Sequence, residues 1–213
     1  MKILLVAATP VELESIQRLL EKEQSAHEVT FLVTGVGMIA TTFSLTKELV
    51  SNSYDLAINL GIAGAFDRTI ALGEVVEVVQ DQFLEEIVED GDELKTYEEI
   101  GLRGSNEYPF IDGVLHSTSR TTTHSAFIGV KGITVNTVHG NKRSIKSIVK
   151  RLNPQIESME GAAFFYVCNQ FKTATVQIRA ISNYVEKRNR DAWQIELALN
   201  NLAKATKTTL SKL

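Results

Sequence analysis

The stretches IESMEGAAFFYVC (Ile156 to Cys168) and ATVQIRAISNYV (Ala174 to Val185) decide the fold of this chain. In the first, Glu160 opens an apolar helix that is rich in small residues. The second is a buried strand whose end carries Arg179 and Asn183. Because ligands of open α/β sheets bind beyond the carboxyl ends of the strands, we expect these side chains at the rim of such a sheet. A carboxylate, a guanidinium and a carboxamide can together hold a ribose and read a purine.

Apolar runs of strand length alternate with amphipathic stretches over the rest of the chain. The predicted strands are Lys2 to Ala8, Val29 to Val33, Leu56 to Leu60, Glu74 to Phe83, Ala126 to Thr134 and Thr175 to Ile181. The predicted helices are Val11 to Glu23, Met38 to Ser51, Asn141 to Leu152, the MEGAA segment and about Arg190 to Leu210. Strands without polar alternation, separated by helices, indicate a sheet covered on both faces. The expected fold is α/β, a single-domain three-layer sandwich over residues 1–213 with a central mixed, mostly parallel twisted sheet flanked by helices.

The segment from Leu84 to Thr123 departs from this alternation and is rich in acids, glycines and serines. It is long for a connection inside a compact domain, so we interpret it as a functional excursion and not as a domain boundary.

Composition excludes several classes of protein. The net charge of -4 and the pI of about 5.6 leave no basic stripe for a nucleic acid. No run approaches the roughly 18 apolar residues of a membrane helix, and the short apolar N-terminus does not resemble a secretory signal. The single cysteine, Cys168, excludes an internal disulfide and is read as a small buried hydrophobe. We therefore expect a cytoplasmic protein.

The sequence GVGMIA (Gly35 to Ala40) matches a dinucleotide-binding fingerprint, with Asp55 at about the expected spacing. However, the glycines follow the second predicted strand, and Asp55 precedes a strand where the fingerprint acid should end one. No nicotinamide cofactor is expected, and no other cofactor is implied.

Five segments in fixed order carry a resemblance that spans nearly the whole chain: a glutamate on the first helix, GVG, NLGIAGAF, SMEGAA and RAISN. This order resembles the purine nucleoside phosphorylase and nucleosidase family. The methylthioadenosine/S-adenosylhomocysteine nucleosidase branch has GSAGG, MEATA and RAISD at these places, whereas SMEGAAF with RAISNYV is most similar to the futalosine hydrolase branch. The resemblance implies hydrolysis of futalosine, a hypoxanthine nucleoside that carries a carboxyphenyl group beyond its 5′ carbon, in a route to menaquinone. It also implies a homo-oligomer, a dimer or larger, in which a neighbour's loop closes the 5′ pocket.

The resemblance assigns the ribose end of the site to four residues. Glu160 would grip the ribose hydroxyls and favour the cationic transition state, with Met159 under the sugar. Glu12 matches the family's water-activating glutamate. Arg179 would orient Glu160 or the water, although a purely structural ion pair fits it equally well. For the two glutamates, the alternative is an ordinary acid in the first turn of a helix.

Asn183 is the residue that discriminates between bases. Its NH₂ can donate to a 6-oxo group and its carbonyl can accept from N7–H, so hypoxanthine and guanine are favoured over adenine. The alternative is an asparagine that caps a strand-to-helix turn. Ser182 would support residue 183 through its hydroxyl. By resemblance, Thr137 and Val138 line the base.

Water is the expected nucleophile. Phosphorolysis needs arginine and serine donors for a phosphate, but Ile62 replaces a serine typical of the family and Arg68 is the nearest arginine. The 5′ substituent is expected near Tyr184, Trp193 and the Gly101–Pro109 segment. Its carboxylate has three arginine candidates, which are Arg103, Arg188 and Arg190. The histidines His116, His124 and His139 show no metal spacing, so no metal is expected and surface or core roles are their default.

Three other functions stay open. The chain can be a nucleosidase for adenine-type thionucleosides, a 6-oxopurine nucleoside phosphorylase or a purine-binding module without catalysis. Retention of both Glu12 and Glu160 speaks against the last.

Overall fold

The structure, a computed structural model, describes residues 1–20, 26–91, 93–118 and 127–213. Its strands are β1 (Lys2–Ala7), β2 (Glu28–Val33), β3 (Leu56–Ala65), β4 (Val75–Asp81), β5 (Ile87–Asp90), β6 (Glu93–Thr96), β7 (Leu115–His116), β8 (Ile128–Thr134), β9 (Ile156–Ser158) and β10 (Ala174–Tyr184). Its helices are α1 (Pro10–Leu20), α2 (Met38–Ser51), α3 (Lys142–Leu152), α4 (Gly161–Gln170) and α5 (Ile195–Leu210), and Arg190–Ala192 form a 3₁₀ turn.

One mixed sheet runs through the molecule in the order β10-β4-β8-β9-β3-β1-β2, with β7 paired to β4. The pairs β1–β2, β1–β3, β3–β10, β4–β8 and β8–β9 are parallel, and β4–β10, β3–β9 and β4–β7 are antiparallel. The mixed, mostly parallel sheet expected from the sequence is confirmed. Because β10 also pairs with β3, the strands β3, β10, β4, β8 and β9 form a closed ring of pairings, which the sequence did not predict.

Helices cover both faces of the sheet, which confirms the three layers. On one face, α1 and α5 bury residues such as Ile16 and Leu202 against β1, β3 and β10. On the other face, α2 and α4 bury residues such as Leu45 and Phe164 against β1. Continuous apolar strands are stable here because neither face of the sheet meets water.

The strands β3 and β10 extend further than predicted. The GIAG motif does not end β3, which continues to Ala65, and β10 continues to Tyr184. Asn183 therefore lies inside a strand, and the alternative of a capping role at a strand-to-helix turn is wrong. The register of β10 against β3 shifts between Ile181 and Asn183, so Ser182 occupies an irregularity of the kind that re-aims side chains next to functional sites.

Other boundaries differ by a few residues. A short strand, β9, precedes the MEGAA helix, β4 is shorter than the predicted strand, and α5 begins at Ile195 after the 3₁₀ turn. The excursion contains the β5–β6 hairpin and β7, although its last predicted residues, 119–123, lie outside the described residues. Residues 21–23 of the first predicted helix, Ala126 and His124 also lie outside them.

The surroundings of GVG agree with the rejection of a dinucleotide site. The glycines follow β2, and the Asp55 carboxylate accepts a hydrogen bond of 2.7 Å from the backbone N–H of Lys2. Asp55 thus caps the amino-terminal end of the sheet, opposite the end at which GVG lies. Within the described ranges, no helix is both long and apolar enough to cross a bilayer.

Candidate active site

A cavity of about 520 Å³ lies at the carboxyl ends of β1, β3 and β10, a volume suited to a nucleoside-sized ligand. Most of the residues that the sequence singled out line it. They are Glu12, Ile62, Val138, Met159, Glu160, Ser182, Asn183, Tyr184 and Trp193. Arg179 and Thr137 are not part of its lining.

Glu12 is held in the first turn of α1 by both of its carboxylate oxygens. Its Oε2 accepts hydrogen bonds from the backbone N–H of Thr9 at 3.0 Å and from the Thr9 hydroxyl at 2.8 Å. Its Oε1 accepts from the backbone N–H of Ile62 at 3.2 Å. Thr9 and Glu12 have the spacing of a capping box, so the Glu12 carboxylate both caps the N-terminal end of the helix and lines the cavity.

Glu160 is buried at the N-cap of α4, with 6% of its surface exposed. Its Oε1 accepts a hydrogen bond of 3.0 Å from the backbone N–H of Gly37. Gly37 has a φ of 91°, a conformation that a residue with a Cβ rarely adopts. The GVG motif therefore presents a backbone donor to a carboxylate of the cavity, which explains Gly37 without a dinucleotide.

Arg179 lies behind the cavity wall and not at its surface. Its side chain is 1% exposed, and its Nη2 lies 3.9 Å from Glu160 Oε2. Its Nε donates to Gln177 Oε1 at 3.1 Å, and its Nη2 also donates to Asn59 Oδ1. The arginine can orient Glu160 by charge, but it does not line the space in which a water would attack. The geometry therefore agrees with the structural ion pair that was the alternative.

Gly61 separates Arg179 from Glu12. A Cβ at this position would lie 2.1 Å from Arg179 Nη1 and 2.9 Å from Glu12 Oε1. Only glycine lets the guanidinium and the carboxylate approach the same point of β3.

A buried polar chain fixes the start of α4 to the sheet. Asp81 accepts from the Thr134 hydroxyl at 2.9 Å and from Gln177 Nε2 at 3.2 Å. The Thr134 hydroxyl in turn accepts from the backbone N–H of Ala162 at 2.7 Å. Burial raises the pKa of Asp81 to about 6, against the opposing effect of the Gln177 and Thr134 hydrogen bonds. These hydrogen bonds fix the first turn of α4 and with it the position of Glu160, which precedes the helix. The charge of Arg179 acts on the same carboxylate.

Asn183 has both ends of its amide engaged, yet each end keeps capacity for a ligand. The Ser182 hydroxyl donates to Asn183 Oδ1 at 2.8 Å, which is the support predicted from the sequence. Asn183 Nδ2 donates to the backbone carbonyl of Tyr184 at 3.1 Å. One hydrogen on Nδ2 and one lone pair on Oδ1 remain. These are the donor and the acceptor that a 6-oxopurine requires.

Sequence reasoning missed a buried pair in the same cavity, Glu157 and His139. Glu157 is 5% exposed, and its Oε2 lies 2.7 Å from His139 Nδ1, whose N–H it accepts. Its Oε1 accepts from the backbone N–H of His139 at 3.1 Å. Burial raises the pKa of Glu157, and the histidine opposes that shift. A glutamate inside the short strand β9 was the available signal, but the segment was read as the start of a helix.

The mouth of the cavity is formed by exposed and half-buried side chains. Lys187 and Arg188 line it, and the Arg188 guanidinium lies 5.4 Å from the centre of the Trp193 ring. Arg68 pairs with Glu186 at 2.6 Å and lies 4.4 Å above the Tyr184 ring. Of the three arginine candidates for a substrate carboxylate, Arg188 is the one in the cavity lining.

Three expectations for the site are wrong within this chain. Thr137 is exposed and does not line the cavity, whereas Val138, the next residue of the loop after β8, does. The Gly101–Pro109 segment does not reach the cavity either. Arg103 is occupied by Glu86 at 2.5 Å and by Glu98, so its charge is already neutralised.

The described residues contain no cluster of three or more His, Cys, Asp or Glu side chains that could hold a metal ion. Cys168 is a free, buried thiol, and burial raises its pKa.

Fold and site together define the class of this protein. The family model described as the phosphorylase superfamily matches residues 5–212, so the chain belongs to that superfamily. The fold expected from the resemblance is therefore confirmed.

Particular relatives are nucleosidases. The chain is 26% identical to futalosine hydrolase of Thermus thermophilus over 188 residues, which cover 85% of this chain and 81% of that protein. It is 27% identical to 5′-methylthioadenosine/S-adenosylhomocysteine nucleosidase of Bacillus subtilis over 171 residues, 78% of this chain and 73% of that protein. The crystal structure of the Streptococcus pneumoniae MTA/SAH nucleosidase in complex with 8-aminoadenine matches with a TM-score of 0.83 at 21% identity, covering 100% of both chains.

Proposed function

We propose that this protein is an N-glycosidase that hydrolyses futalosine to hypoxanthine and dehypoxanthine futalosine in the futalosine route of menaquinone biosynthesis. The observation that carries the proposal is one cavity lined by two carboxylates, Glu12 and Glu160, and by a carboxamide, Asn183. The similarity to the Thermus thermophilus futalosine hydrolase supports the choice of substrate.

The reaction needs negative charge near the sugar, because cleavage of the C1′–N9 bond proceeds through a cationic ribosyl group. Glu160 supplies this charge and accepts hydrogen bonds from the ribose hydroxyls, with Met159 packed under the sugar. Glu12 takes a proton from the water whose oxygen forms the new bond to C1′. Its Oε1 accepts a single hydrogen bond within the protein, so a lone pair is available for that water.

The purine leaves with the electron pair of the C1′–N9 bond. Asn183 cannot supply a proton, but its NH₂ donates to O6, where the negative charge of a departing 6-oxopurine spreads. An adenine would set its 6-amino group against the same donor. Val138 and Tyr184 complete the walls around the base and the sugar.

Hydrolysis is favoured over phosphorolysis by the charges of the cavity. The cations in its lining, Lys187 and Arg188, lie at the mouth, and Arg68 is neutralised by Glu186. Ile62 contributes a backbone N–H and an apolar side chain where a phosphate would need a hydroxyl donor.

A nucleosidase for methylthioadenosine is the second candidate, since the Bacillus subtilis relative of that name has nearly the same identity to this chain as the futalosine hydrolase, although over a shorter match. Asn183 argues against this candidate, because its NH₂ group and the 6-amino group of adenine are both hydrogen-bond donors.

The proposal includes a homo-oligomer and a cytoplasmic location. Ile39 and Phe43, one turn apart on α2, are 83% and 70% exposed, and large exposed apolar residues on one helix face favour association. A lone buried cysteine fits a reducing compartment.

One assay tests the proposal. The protein is incubated separately with futalosine, methylthioadenosine and inosine, with and without phosphate, and base release is followed by chromatography. We expect hypoxanthine from futalosine at the highest kcat/KM and no dependence on phosphate. A requirement for phosphate would refute hydrolysis, and preference for methylthioadenosine would support the second candidate.

A further inference from the structure

The buried carboxylate of Glu157 has no part in the chemistry described above, although it lines the same cavity. A buried acid is unfavourable unless it is hydrogen-bonded, and both oxygens of Glu157 accept hydrogen bonds from His139. The pair ties the loop after β8 to β9, and each carboxylate oxygen keeps a lone pair beyond the one that His139 uses. A carboxylate kept at a cavity wall points to a ligand that donates a hydrogen bond to it.

Glu157 on β9 and Asn183 on β10 both lie opposite Gly64 of β3, one on each edge of that strand. A Cβ built on Gly64, between them, would lie 3.2 Å from Asn183 Nδ2 and 3.7 Å from the Cγ atom of Glu157. Val185 Cγ2 would lie closer still to that Cβ, at 3.0 Å, so the gap over Gly64 is packed, and the space that the two polar groups share is the cavity that both of them line. A flat ring in that space meets the carboxamide with one atom of its edge and the carboxylate with the next.

The edge of a 6-oxopurine fits this order of groups. The oxygen on C6 accepts a hydrogen bond, and the adjacent N1 carries a hydrogen that donates one. Adenine reverses both polarities, because its 6-amino group donates and its N1 has only a lone pair. A carboxylate accepts and cannot donate, so it pairs with N1–H and repels the N1 lone pair of adenine.

We infer that Glu157 is a second base-reading residue, which accepts the N1–H of a 6-oxopurine while Asn183 contacts O6 and N7. His139 is its positioning residue, since the ring N–H and the backbone N–H fix the two carboxylate oxygens. Each oxygen accepts one hydrogen bond from His139 and keeps a lone pair for the base. The inference deepens the proposed function and rests on it for the identity of the base.

The first test compares futalosine with its 6-amino analogue, which differs only in the purine edge. Glu157→Gln keeps the size of the side chain and replaces an acceptor by an amide that can donate to the N1 of adenine. We expect kcat/KM for futalosine to fall by about 10–100-fold, the range for a hydrogen bond to a charged group, while kcat/KM for the 6-amino analogue stays equal or rises. An equal loss for both substrates would mean a structural role and would overturn the inference.

The matched control is Glu85→Gln. Glu85 accepts a hydrogen bond of 2.6 Å from the backbone N–H of Asn136 in the same loop but does not line the cavity. The ratio of the two kcat/KM values should not change in this variant. A change as large as that of Glu157→Gln would mean that the selectivity depends on the position of the loop after β8 and not on a contact between Glu157 and the base.

The second test measures binding of free bases and needs no turnover. Calorimetry compares hypoxanthine with 1-methylhypoxanthine, in which a methyl group replaces the N1 hydrogen, on wild type and on Glu157→Ala. Wild type should bind hypoxanthine at least about tenfold more tightly, and Glu157→Ala should lose that preference. An unchanged preference in the variant would overturn the inference. If wild type shows the preference but does not cleave futalosine, the proposed function fails and the base-reading role stands.

Discussion

The two ends of the cavity differ in how firmly their polar groups are held. At the ribose end, Glu12 and Glu160 accept hydrogen bonds from backbone N–H groups, and the Arg179 side chain is 1% exposed. At the mouth, Lys187 and Arg188 are exposed and rest on no comparable network. Preorganised charge is what stabilises a transition state, whereas a variable substituent is served by adaptable contacts. The proposed function therefore assigns the chemistry to the firmly held end of the cavity and the choice of 5′ group to the exposed end.

The largest effect should follow removal of charge at the ribose end. Glu12→Gln and Glu160→Gln are each expected to lower kcat for futalosine by about 10²–10⁴-fold, because one loses the general base and the other the charge beside the ribosyl cation. Steady-state kinetics measures the loss. Glu14→Gln is the matched control, since Glu14 lies on the same helix and pairs only with exposed Arg18 at 3.5 Å. A comparable loss in the control would remove the distinction between the two ends.

A smaller effect is expected at the base. Asn183→Asp replaces the NH₂ donor by an acceptor, so it should move the kcat/KM ratio of futalosine to its 6-amino analogue by about tenfold or more toward the amino compound. Chromatographic assay of both substrates gives the ratio. If the ratio does not move, Asn183 does not read the base.

A modest effect is expected at the mouth. Trp193→Ala removes an aromatic wall, so KM for futalosine should rise by about three- to tenfold while kcat stays within about twofold, because the ring contacts the substituent and not the reacting bond. Inosine, which lacks the substituent, should show little change in KM. A fall in kcat for both substrates would place Trp193 in the rigid part of the site.

The last effect concerns stability, not activity, and depends on pH. The pKa of Asp81 is raised to about 6, so between about pH 4 and pH 6 the folded state holds a proton on Asp81 that the unfolded chain has released. The stability from this group is therefore full below about pH 4 and is lost as the pH rises to about 6, with a total of at most about 3 kcal/mol. Asp81→Asn does not titrate, so its deficit relative to wild type should be larger at pH 4 than at pH 7.5 in urea unfolding. A deficit that does not vary with pH would contradict the shift.

Local signals in the sequence predicted much of the fold. The apolar residues of α2 recur with the period of a helix, and the predicted range Met38–Ser51 matches the observed helix. Glu12 follows β1 and Asn183 lies near the carboxyl end of β10; both strands are parallel to β3, so the convergence of these two side chains in the cavity was predictable from topology. Glu160 follows β9, which is antiparallel to β3, so its place in the cavity did not follow from that rule.

Long-range register accounts for what was missed. The depth of Arg179 depends on the pairing of β10 with β3 and on the room left by Gly61, which no local pattern encodes. The strand β9 spans three residues, too few for a periodicity signal, so Glu157 was hidden within an apparent helix start. The ring of strands closes through pairings between β3 and β10, which lie far apart in the sequence.

The most direct measurement is a competition in phosphate buffer between equal amounts of futalosine and its 6-amino analogue. The released bases are separated by chromatography, and the sugar product is identified by mass spectrometry. Hypoxanthine should be released first, and the sugar should appear unphosphorylated. Release of adenine first, or a sugar 1-phosphate as the product, would contradict the proposed function.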